Sequence, residues 1–166
     1  MAKIVLFVPY FGPFPKHMPL WVRSCAANPQ IDWVLLTDQD APPRMPPNMR
    51  YVRMSFEDIK KRFSARLGFE VCLDRPYKIV DYKPAYGYLF ADMVSGYDIW
   101  GYCDVDVIFG DILAFFPEDL FNRYQKIQDL GHLAFYRNDE EVNTLFMEKC
   151  PGVSYYREVF TDSLIY

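Results

Sequence analysis

The sequence predicts an α/β fold, a three-layer α/β/α sandwich around a mostly parallel sheet. Strand-like and helix-like segments alternate along all 166 residues. The candidate strands are continuous apolar runs, which is typical of parallel strands buried on both faces. The loops after these runs are rich in Pro, Gly and Asp. At this length and with 51% hydrophobic residues, we expect one domain spanning residues 1–166.

Each predicted strand is a short apolar or alternating run that ends at turn residues. The first ends at Pro9, before a loop that contains Gly12 and further prolines. In sheets of this kind, ligands bind outside the carboxyl ends of the strands, so the residues that follow each run are candidates for a site. The predicted strands are KIVLFVPY (3–10), IDWVLLTD (31–38), MRYVRMS (49–55), the run that contains Asp104 and Asp106, and GHLAFYR (131–137).

The clearest predicted helix spans residues 55–67. Ser55 followed by Asp58 is a capping-box pattern, apolar residues recur at helical spacing, and Gly68 follows the last of them. A second helix is predicted from Pro84, a favourable first helical residue, to Gly96. The remaining predicted helices are MPLWVRSCAA (18–27), PEDLFNRYQKI (117–127) and DEEVNTLFMEK (139–149).

Composition argues against several classes of protein. The net charge of −4, without a run of basic and aromatic residues, argues against nucleic-acid binding. The cysteines form no C-x-x-C pair, so we expect reduced thiols rather than a zinc site or disulfides. The apolar run before Pro9 is too short for a signal peptide, and no 18-residue apolar run follows. We therefore expect a cytoplasmic protein without a transmembrane segment, and peripheral membrane association stays open. The cysteines are Cys25, Cys72, Cys103 and Cys150.

Two aspartates interrupt the apolar stretch WGYCDVDVIFGDI, residues 100–112. If the stretch is a strand, Asp104 and Asp106 project to the same face and repel each other. Protonation, pairing with cations or binding of a metal would relieve this repulsion. Asp-x-Asp alone is not specific, since DQD at 38–40 is a second example, but only this pair has apolar flanks. A hard ion such as Mg²⁺ or Mn²⁺ fits, because it takes one or two carboxylates and completes its shell with water and phosphate oxygens.

The longest informative segment is PYKIVDYKPAYGYLFADMVSGYDIWGYCDVDVIFGDI, residues 76–112. It resembles the donor-binding core of GT-A-fold glycosyltransferases that carry a DXD motif. The resemblance is closest to a bacterial glycosyltransferase-like family associated with surface-polysaccharide genes. VPYFG (8–12) and GHLAFYRND (131–139) are also similar to that family, so the resemblance covers most of the chain. It implies a GT-A-like, Rossmann-like fold and transfer of a sugar from a nucleotide diphosphate sugar, a UDP-sugar, to a glycan or lipid-linked acceptor.

The resemblance also implies roles for individual residues. Asp104 and Asp106 would hold Mn²⁺ or Mg²⁺, with Asp106 the more direct ligand, and the Val105 backbone would contact the ribose. Asp81 and Lys83 match positions that contact the sugar or the diphosphate. A lysine beside a helix N-terminus also suits anion binding on independent grounds. On the nucleoside side, Asp38 would lie near the uracil edge, and the loop of Pro9, Tyr10, Phe11 and Gly12 would border the base.

GT-A transferases usually continue from the donor half into an acceptor-binding segment, which in inverting enzymes supplies the catalytic base. This sequence ends at FTDSLIY, and the resemblance assigns no catalytic base within it. We therefore expect a donor-binding half, truncated at its C-terminus, that binds the donor but transfers slowly. We also expect an exposed apolar patch over residues 153–166 that promotes self-association.

Other functions stay open at this point. The main alternative is a non-catalytic module that binds nucleotide and metal. A haloacid-dehalogenase-type phosphatase also begins with Asp-x-Asp, but it needs Thr or Ser where Ile108 stands. A sugar-nucleotide pyrophosphorylase needs a Gly-rich phosphate loop after the first strand, and VPYFGPFP is not such a loop. The donor sugar, the acceptor and the stereochemical outcome are not determined by the sequence.

Overall fold

The computed structural model of the protein describes residues 2–166. Strands and helices alternate through the first two-thirds of the chain, and shorter elements follow. In chain order the elements are β1 (Ile4–Pro9), α1 (Met18–Ala26), β2 (Ile31–Thr37), β3 (Met49–Arg53), α2 (Phe56–Leu67), a 3-10 helix (Pro76–Ala85), α3 (Tyr86–Leu89), α4 (Ala91–Val94), β4 (Ile99–Cys103), α5 (Ile112–Phe115), α6 (Glu118–Arg123), β5 (Lys126–Ile127), β6 (Leu133–Arg137), α7 (Glu140–Thr144), a short 3-10 turn (Leu145–Met147) and α8 (Tyr156–Thr161).

The strands form a six-stranded mixed sheet in the order β3-β2-β1-β4-β6-β5. The first four strands in this order are parallel to one another. β6 runs antiparallel to β4, and β5 runs antiparallel to β6. The sequence therefore predicted an α/β fold with a mostly parallel sheet correctly, and the strand order is compatible with a Rossmann-like fold. The chain passes from β3 at one edge back to β4 beside β1, so the order of the strands switches between β1 and β4.

A hydrophobic core lies on each face of the sheet because successive side chains of a strand point to opposite faces. In β1, Val5 and Phe7 pack with α2, the 3-10 helix and α3 on one face. Ile4, Leu6 and Val8 pack with α1, α5 and α6 on the other face. Helices thus cover both faces of the sheet, which explains why its strands read as unbroken apolar runs.

The backbones of β4 and β6 approach each other closely at Gly101. A side chain at Gly101 would place its Cβ 2.1 Å from the backbone oxygen of Ala134, so only glycine fits there. Beside it, Trp100 and Tyr136 stack with ring centroids 4.3 Å apart. This pair fixes the position of β4, the strand that leads into the aspartates.

The helix predicted over residues 55–67 is present as α2, and its capping box forms as the pattern indicated. The Ser55 hydroxyl accepts a hydrogen bond from the Asp58 backbone N–H at 3.0 Å, and the Asp58 carboxylate accepts one from Ser55. Gly68 ends the helix in the left-handed conformation. The predicted helix over 18–27 is also present, as α1.

The prediction of one helix from Pro84 to Gly96 is wrong. The helical turns start earlier, as a 3-10 helix over Pro76–Ala85 that contains Pro84, and two single α-turns follow. The buried apolar residues Ile79, Tyr82 and Ala85 recur every three positions, which is the period of a 3-10 helix, whose side chains at i and i+3 align. The predicted start rested on the preference of proline for the first helical position, but Pro84 lies inside the 3-10 helix.

Three smaller corrections concern the second half of the chain. The helix predicted over 117–127 ends at Arg123, and Lys126–Ile127 instead pairs with β6 as strand β5. The helix predicted over 139–149 is α7 followed by a single 3-10 turn. In the C-terminal segment predicted to carry an exposed apolar patch, Val153, Leu164, Ile165 and Tyr166 are exposed, and the correction concerns Phe160, which is buried in the core.

Two further features concern the thiols and the helices of residues 2–166. All four cysteines are free thiols. No helix in this part of the chain is both long enough and apolar enough to cross a membrane.

Candidate functional site

A cleft of about 920 Å³ opens at the carboxyl ends of β1 and β4, where the strand order switches. This is where open α/β sheets bind ligands, because the loops after the two strands diverge and leave a crevice between them. Three segments form its walls: residues 7–11 at the end of β1 and just beyond it, residues 102–106 at the end of β4 and just beyond it, and most of the 3-10 helix. The remaining lining residues are Pro15, His17, Tyr86, Gly131, His132, Val159 and Tyr166.

The two aspartates lie just beyond β4 rather than within it. The strand ends at Cys103, Asp104 is the first residue after it, and Asp106 lies in the following turn. The strand prediction that placed both carboxylates on one face by alternation is therefore wrong. Both residues nevertheless line the cleft, Asp104 half-buried and Asp106 exposed. A turn brings them to the same cleft, and in a turn Asp106 retains its contact with solvent.

Asp104 forms an ion pair with Lys83, a residue that the sequence also selected. The Lys83 Nζ lies 2.6 Å from Asp104 Oδ1 and donates a second hydrogen bond to the Gly131 backbone oxygen at 2.8 Å. The ammonium group also lies 5.0 Å from the centre of the Tyr102 ring. Lys83 is largely buried, with 13% of its side chain exposed, compared with 33% for Asp104. The contact ties the end of the 3-10 helix to the loop after β4.

His132 adds a second nitrogen near Asp104. Its Nδ1 lies 3.7 Å from Asp104 Oδ2, beyond hydrogen-bond distance, and its side chain is exposed. The backbone of the two residues is connected more tightly, since the Asp104 N–H donates to the His132 carbonyl at 3.0 Å. His132 therefore lies at the rim of the cleft beside the acidic pair.

Asp81 is engaged by other residues of the protein, although the resemblance implied that it contacts the sugar or the diphosphate. Its carboxylate accepts a hydrogen bond from Lys78 Nζ at 2.7 Å and another from the Tyr166 backbone N–H at 3.2 Å. Both side chains of this ion pair are shielded from water, with exposed fractions of 0% for Lys78 and 1% for Asp81. The Lys78 ammonium also donates to the backbone oxygens of Val159 and Leu164. The pair thus anchors the C-terminal segment to the 3-10 helix.

Asp38 closes the loop after β1 and does not line the cleft. Its Oδ1 accepts hydrogen bonds from the Gly12 backbone N–H at 3.0 Å and from Gln39 Nε2 at 2.9 Å. Burial alone would raise the pKa of Asp38, but these hydrogen bonds outweigh it and hold the pKa below its usual value. Gly12 has φ +99°, a conformation that favours glycine. Asp38 and Gly12 therefore shape the loop that presents Pro9, Tyr10 and Phe11 to the cleft.

Burial keeps the thiol and the two buried phenols of the cleft protonated at neutral pH. Burial raises the pKa of the Cys103 thiol well above its ordinary value, so the thiolate is disfavoured. Burial also raises the pKa values of Tyr86 and Tyr102, whose hydroxyls stay neutral. The accessible charged chemistry of the cleft is therefore that of Asp104, Asp106 and Lys83.

The structure adds residues to the site that sequence reasoning did not select. His17, at the start of α1, and Tyr77 line the cleft, and Tyr166 reaches it from the last turn of the C-terminal segment. Tyr77 lies inside the segment 76–112 that carried the resemblance, but no pattern in the sequence indicates that its side chain is exposed in the cleft. Tyr166 contacts Asp81 across 85 positions of the chain, a separation that no local pattern reports.

Across residues 2–166, no three His, Cys, Asp or Glu side chains group closely enough to hold a metal by themselves. The donor chemistry of Asp104 and Asp106 still fits Mg²⁺ or Mn²⁺ together with a diphosphate. Such ions keep several water ligands and commonly use only one or two carboxylates plus phosphate oxygens. The two carboxylates therefore fit a metal that arrives with its substrate better than a resident structural metal.

Comparisons with known proteins assign the chain to a family and leave its activity open. A search of curated proteins and a search of solved structures each gave no match. One family model matches residues 6–166, which includes every segment that lines the cleft. The chain therefore belongs to DUF6625, a family of unknown function.

Proposed function

We propose that this protein is a metal-dependent glycosyltransferase of the GT-A type that binds a nucleotide diphosphate sugar, a UDP-sugar, in the cleft. One observation carries the proposal: Asp104, Asp106 and Lys83 meet at the strand-order switch of a mostly parallel sheet. This combination suits a diphosphate, because carboxylates can hold a divalent ion that binds phosphate oxygens and an ammonium group can donate to a phosphate oxygen directly. The resemblance of residues 76–112 to DXD glycosyltransferases supports the same assignment.

The proposal gives each charged residue a role. Asp104 and Asp106 would hold Mn²⁺ or Mg²⁺, and the bound ion would neutralise charge on the diphosphate. Lys83 would bind a phosphate oxygen, since the 2.6 Å contact with Asp104 already holds its ammonium group in the cleft. Tyr10 and Phe11, presented by the loop that Asp38 closes, would border the nucleoside. The sugar would then lie within the cleft, where its anomeric carbon meets an acceptor hydroxyl.

A second candidate is a module that binds nucleotide and metal without transferring the sugar. It is favoured by the state of Asp81, the carboxylate of the 3-10 helix, which is committed to Lys78 and shielded from solvent. Asp81 is therefore not accessible to an acceptor hydroxyl. Measuring UDP release from a UDP-sugar in a single turnover separates the two candidates. An enzyme cleaves the bond between UDP and the sugar and releases UDP, whereas a binding module leaves the UDP-sugar intact.

Calorimetric titration with UDP in the presence and absence of Mn²⁺ tests the binding step that both candidates share. We expect UDP to bind with Mn²⁺, and Asp106→Asn to weaken binding at least tenfold, about 1.4 kcal/mol. Asp119→Asn is the matched control, because Asp119 is an exposed aspartate of α6 outside the cleft. Equal UDP affinity after addition of EDTA, or equal losses in both variants, would refute the metal-dependent site.

A further inference from the structure

The lining of the cleft differs in character between its two ends. At the β4 end it carries charge, from Lys83, Asp104 and Asp106. At the other end, beside the start of the 3-10 helix, the ionised groups are the Lys78–Asp81 pair, which is buried and neutral overall. The surface there is formed by tyrosine rings and aliphatic side chains: Tyr77, Ile79, Val80, Val159 and Tyr166. This end suits an uncharged ligand.

Tyr166 lines the cleft, and contacts on one ring face, at its hydroxyl and at its backbone N–H hold it in place. Its ring centre lies 5.2 Å from the buried Lys78 ammonium, so the protein occupies one face of the ring. Its hydroxyl donates to Asp162 Oδ2 at 3.1 Å, and its backbone N–H donates to Asp81. These contacts leave 56% of the residue exposed. A ring held at both ends is already ordered, so stacking a ligand on it costs little conformational entropy.

Tyr77 provides a second aromatic surface at the same end, with 67% of the residue exposed. It precedes Lys83 by six positions in the 3-10 helix, which rises about 2 Å per residue, so the two lie about 12 Å apart along the helix axis. That distance separates the aromatic end from the charged end while both still face one cleft.

We propose that Tyr77 and Tyr166 form a saccharide-binding subsite that holds the glycan acceptor at the neutral end of the cleft. Tyrosine combines an apolar ring face with a hydroxyl, which matches a sugar ring with apolar C–H faces and a polar edge. The carboxylates near this end are already engaged, Asp81 by Lys78 and Asp162 by the Tyr166 hydroxyl, which favours a neutral glycan over a charged peptide or phosphate. The acceptor role rests on the proposed glycosyltransferase function, but saccharide binding does not require a donor.

Saturation-transfer NMR of the full chain with maltotriose, chitotriose and lactose tests this subsite without nucleotide or metal. We expect at least one of these sugars to bind, and Tyr77→Ala or Tyr166→Ala to weaken it at least fivefold. Tyr77→Phe and Tyr166→Phe keep the ring and should retain most of the binding. Tyr124→Ala is the matched control, because Tyr124 is another exposed tyrosine that does not line the cleft. Circular dichroism confirms that each variant is folded.

Asp106→Asn separates this inference from the proposed function. It should weaken binding of UDP with Mn²⁺ at least tenfold and leave saccharide binding unchanged. Saccharide binding that survives both alanine substitutions, or that Tyr124→Ala weakens equally, overturns the subsite even if UDP binds. Failure of all three sugars to bind wild-type protein also overturns it. Saccharide binding without UDP binding would keep the subsite and refute the donor site.

Discussion

The contact between Lys83 and Asp104 explains how the protein tolerates two neighbouring carboxylates. Asp104, the less exposed of the two, is neutralised by an ammonium group 2.6 Å away, and Asp106 lies in water on a turn. Pairing with a cation and solvation therefore replace the same-strand repulsion expected from the sequence.

This arrangement predicts unequal effects of two similar substitutions on the unliganded protein. Asp104→Asn should lower the free energy of unfolding by about 1 kcal/mol, because Lys83 loses a charged hydrogen-bond partner while 13% exposed. Asp106→Asn should change it little, since Asp106 is exposed. Urea denaturation measures both values. A stabilising effect of Asp104→Asn would show that repulsion between the aspartates outweighs the ion pair.

Asp38 predicts a pH dependence for the loop after β1. Its pKa is lower in the folded protein than the ordinary value of 3.8, so its contribution to stability is present above that pH and is lost as the pH falls through the folded pKa. Asp38→Ala should therefore destabilise the protein at neutral pH and have progressively less effect below about pH 4.

Asp38→Asn is the informative comparison in this experiment. The asparagine oxygen still accepts hydrogen bonds from Gly12 and Gln39, but the side chain does not ionise in this range. The variant should therefore lose the pH dependence that Asp38 contributes and keep part of the stability. Thermal unfolding from pH 2.5 to pH 7 measures all three proteins. An effect of Asp38→Ala that is constant over this range would contradict the interpretation.

At the scale of elements, the 3-10 helix Pro76–Ala85 organises the site. Its period of three places Lys78 next to Asp81 on one side and directs Ile79, Tyr82 and Ala85 into the core. The Lys78–Asp81 pair then holds the C-terminal segment, because the ammonium donates to its backbone oxygens. One helix thus positions Lys83 at the charged end of the cleft and Tyr166 at the neutral end.

Removing Lys78 should have a large effect because it leaves Asp81 buried without its cation. We expect Lys78→Met to reduce the free energy of unfolding by about 3 kcal/mol or more. The double variant Lys78→Met/Asp81→Leu should recover part of this loss, since no buried charge remains. Urea denaturation measures the cycle. A single substitution that costs no more than a typical surface change would show that water reaches the pair.

At the scale of the whole molecule, the sheet order decides where the site lies. β1 and β4 are adjacent although about ninety residues separate them in the sequence, so their following loops diverge and open the cleft. Side chains from the first loop, the 3-10 helix, the loop after β4 and the C-terminal segment meet there. Each segment packs on the β1–β4 region through its own buried residues, and the cleft lies between them.

The sequence alone determined the features that depend on local patterns. Apolar runs identified β1, β2 and β3, the Ser55–Asp58 pair identified the start of α2, and the apolar flanks of the Asp104 pair selected the acidic end of the cleft. These predictions hold because strand burial and helix capping are set by residues a few positions apart.

Only the tertiary structure decided the partners of the charged residues. Asp81 and Lys83, two positions apart, were both candidates for contacts with the sugar or the diphosphate. In the structure Lys83 pairs with Asp104 in the cleft, whereas Asp81 is buried with Lys78. Asp38 accepts a hydrogen bond from the Gly12 backbone N–H and does not line the cleft. The Tyr166 backbone N–H donates to Asp81, which lies 85 positions earlier in the sequence. Burial and ion pairing depend on which distant segments pack together, and sheet order, rather than any local pattern, sets that packing.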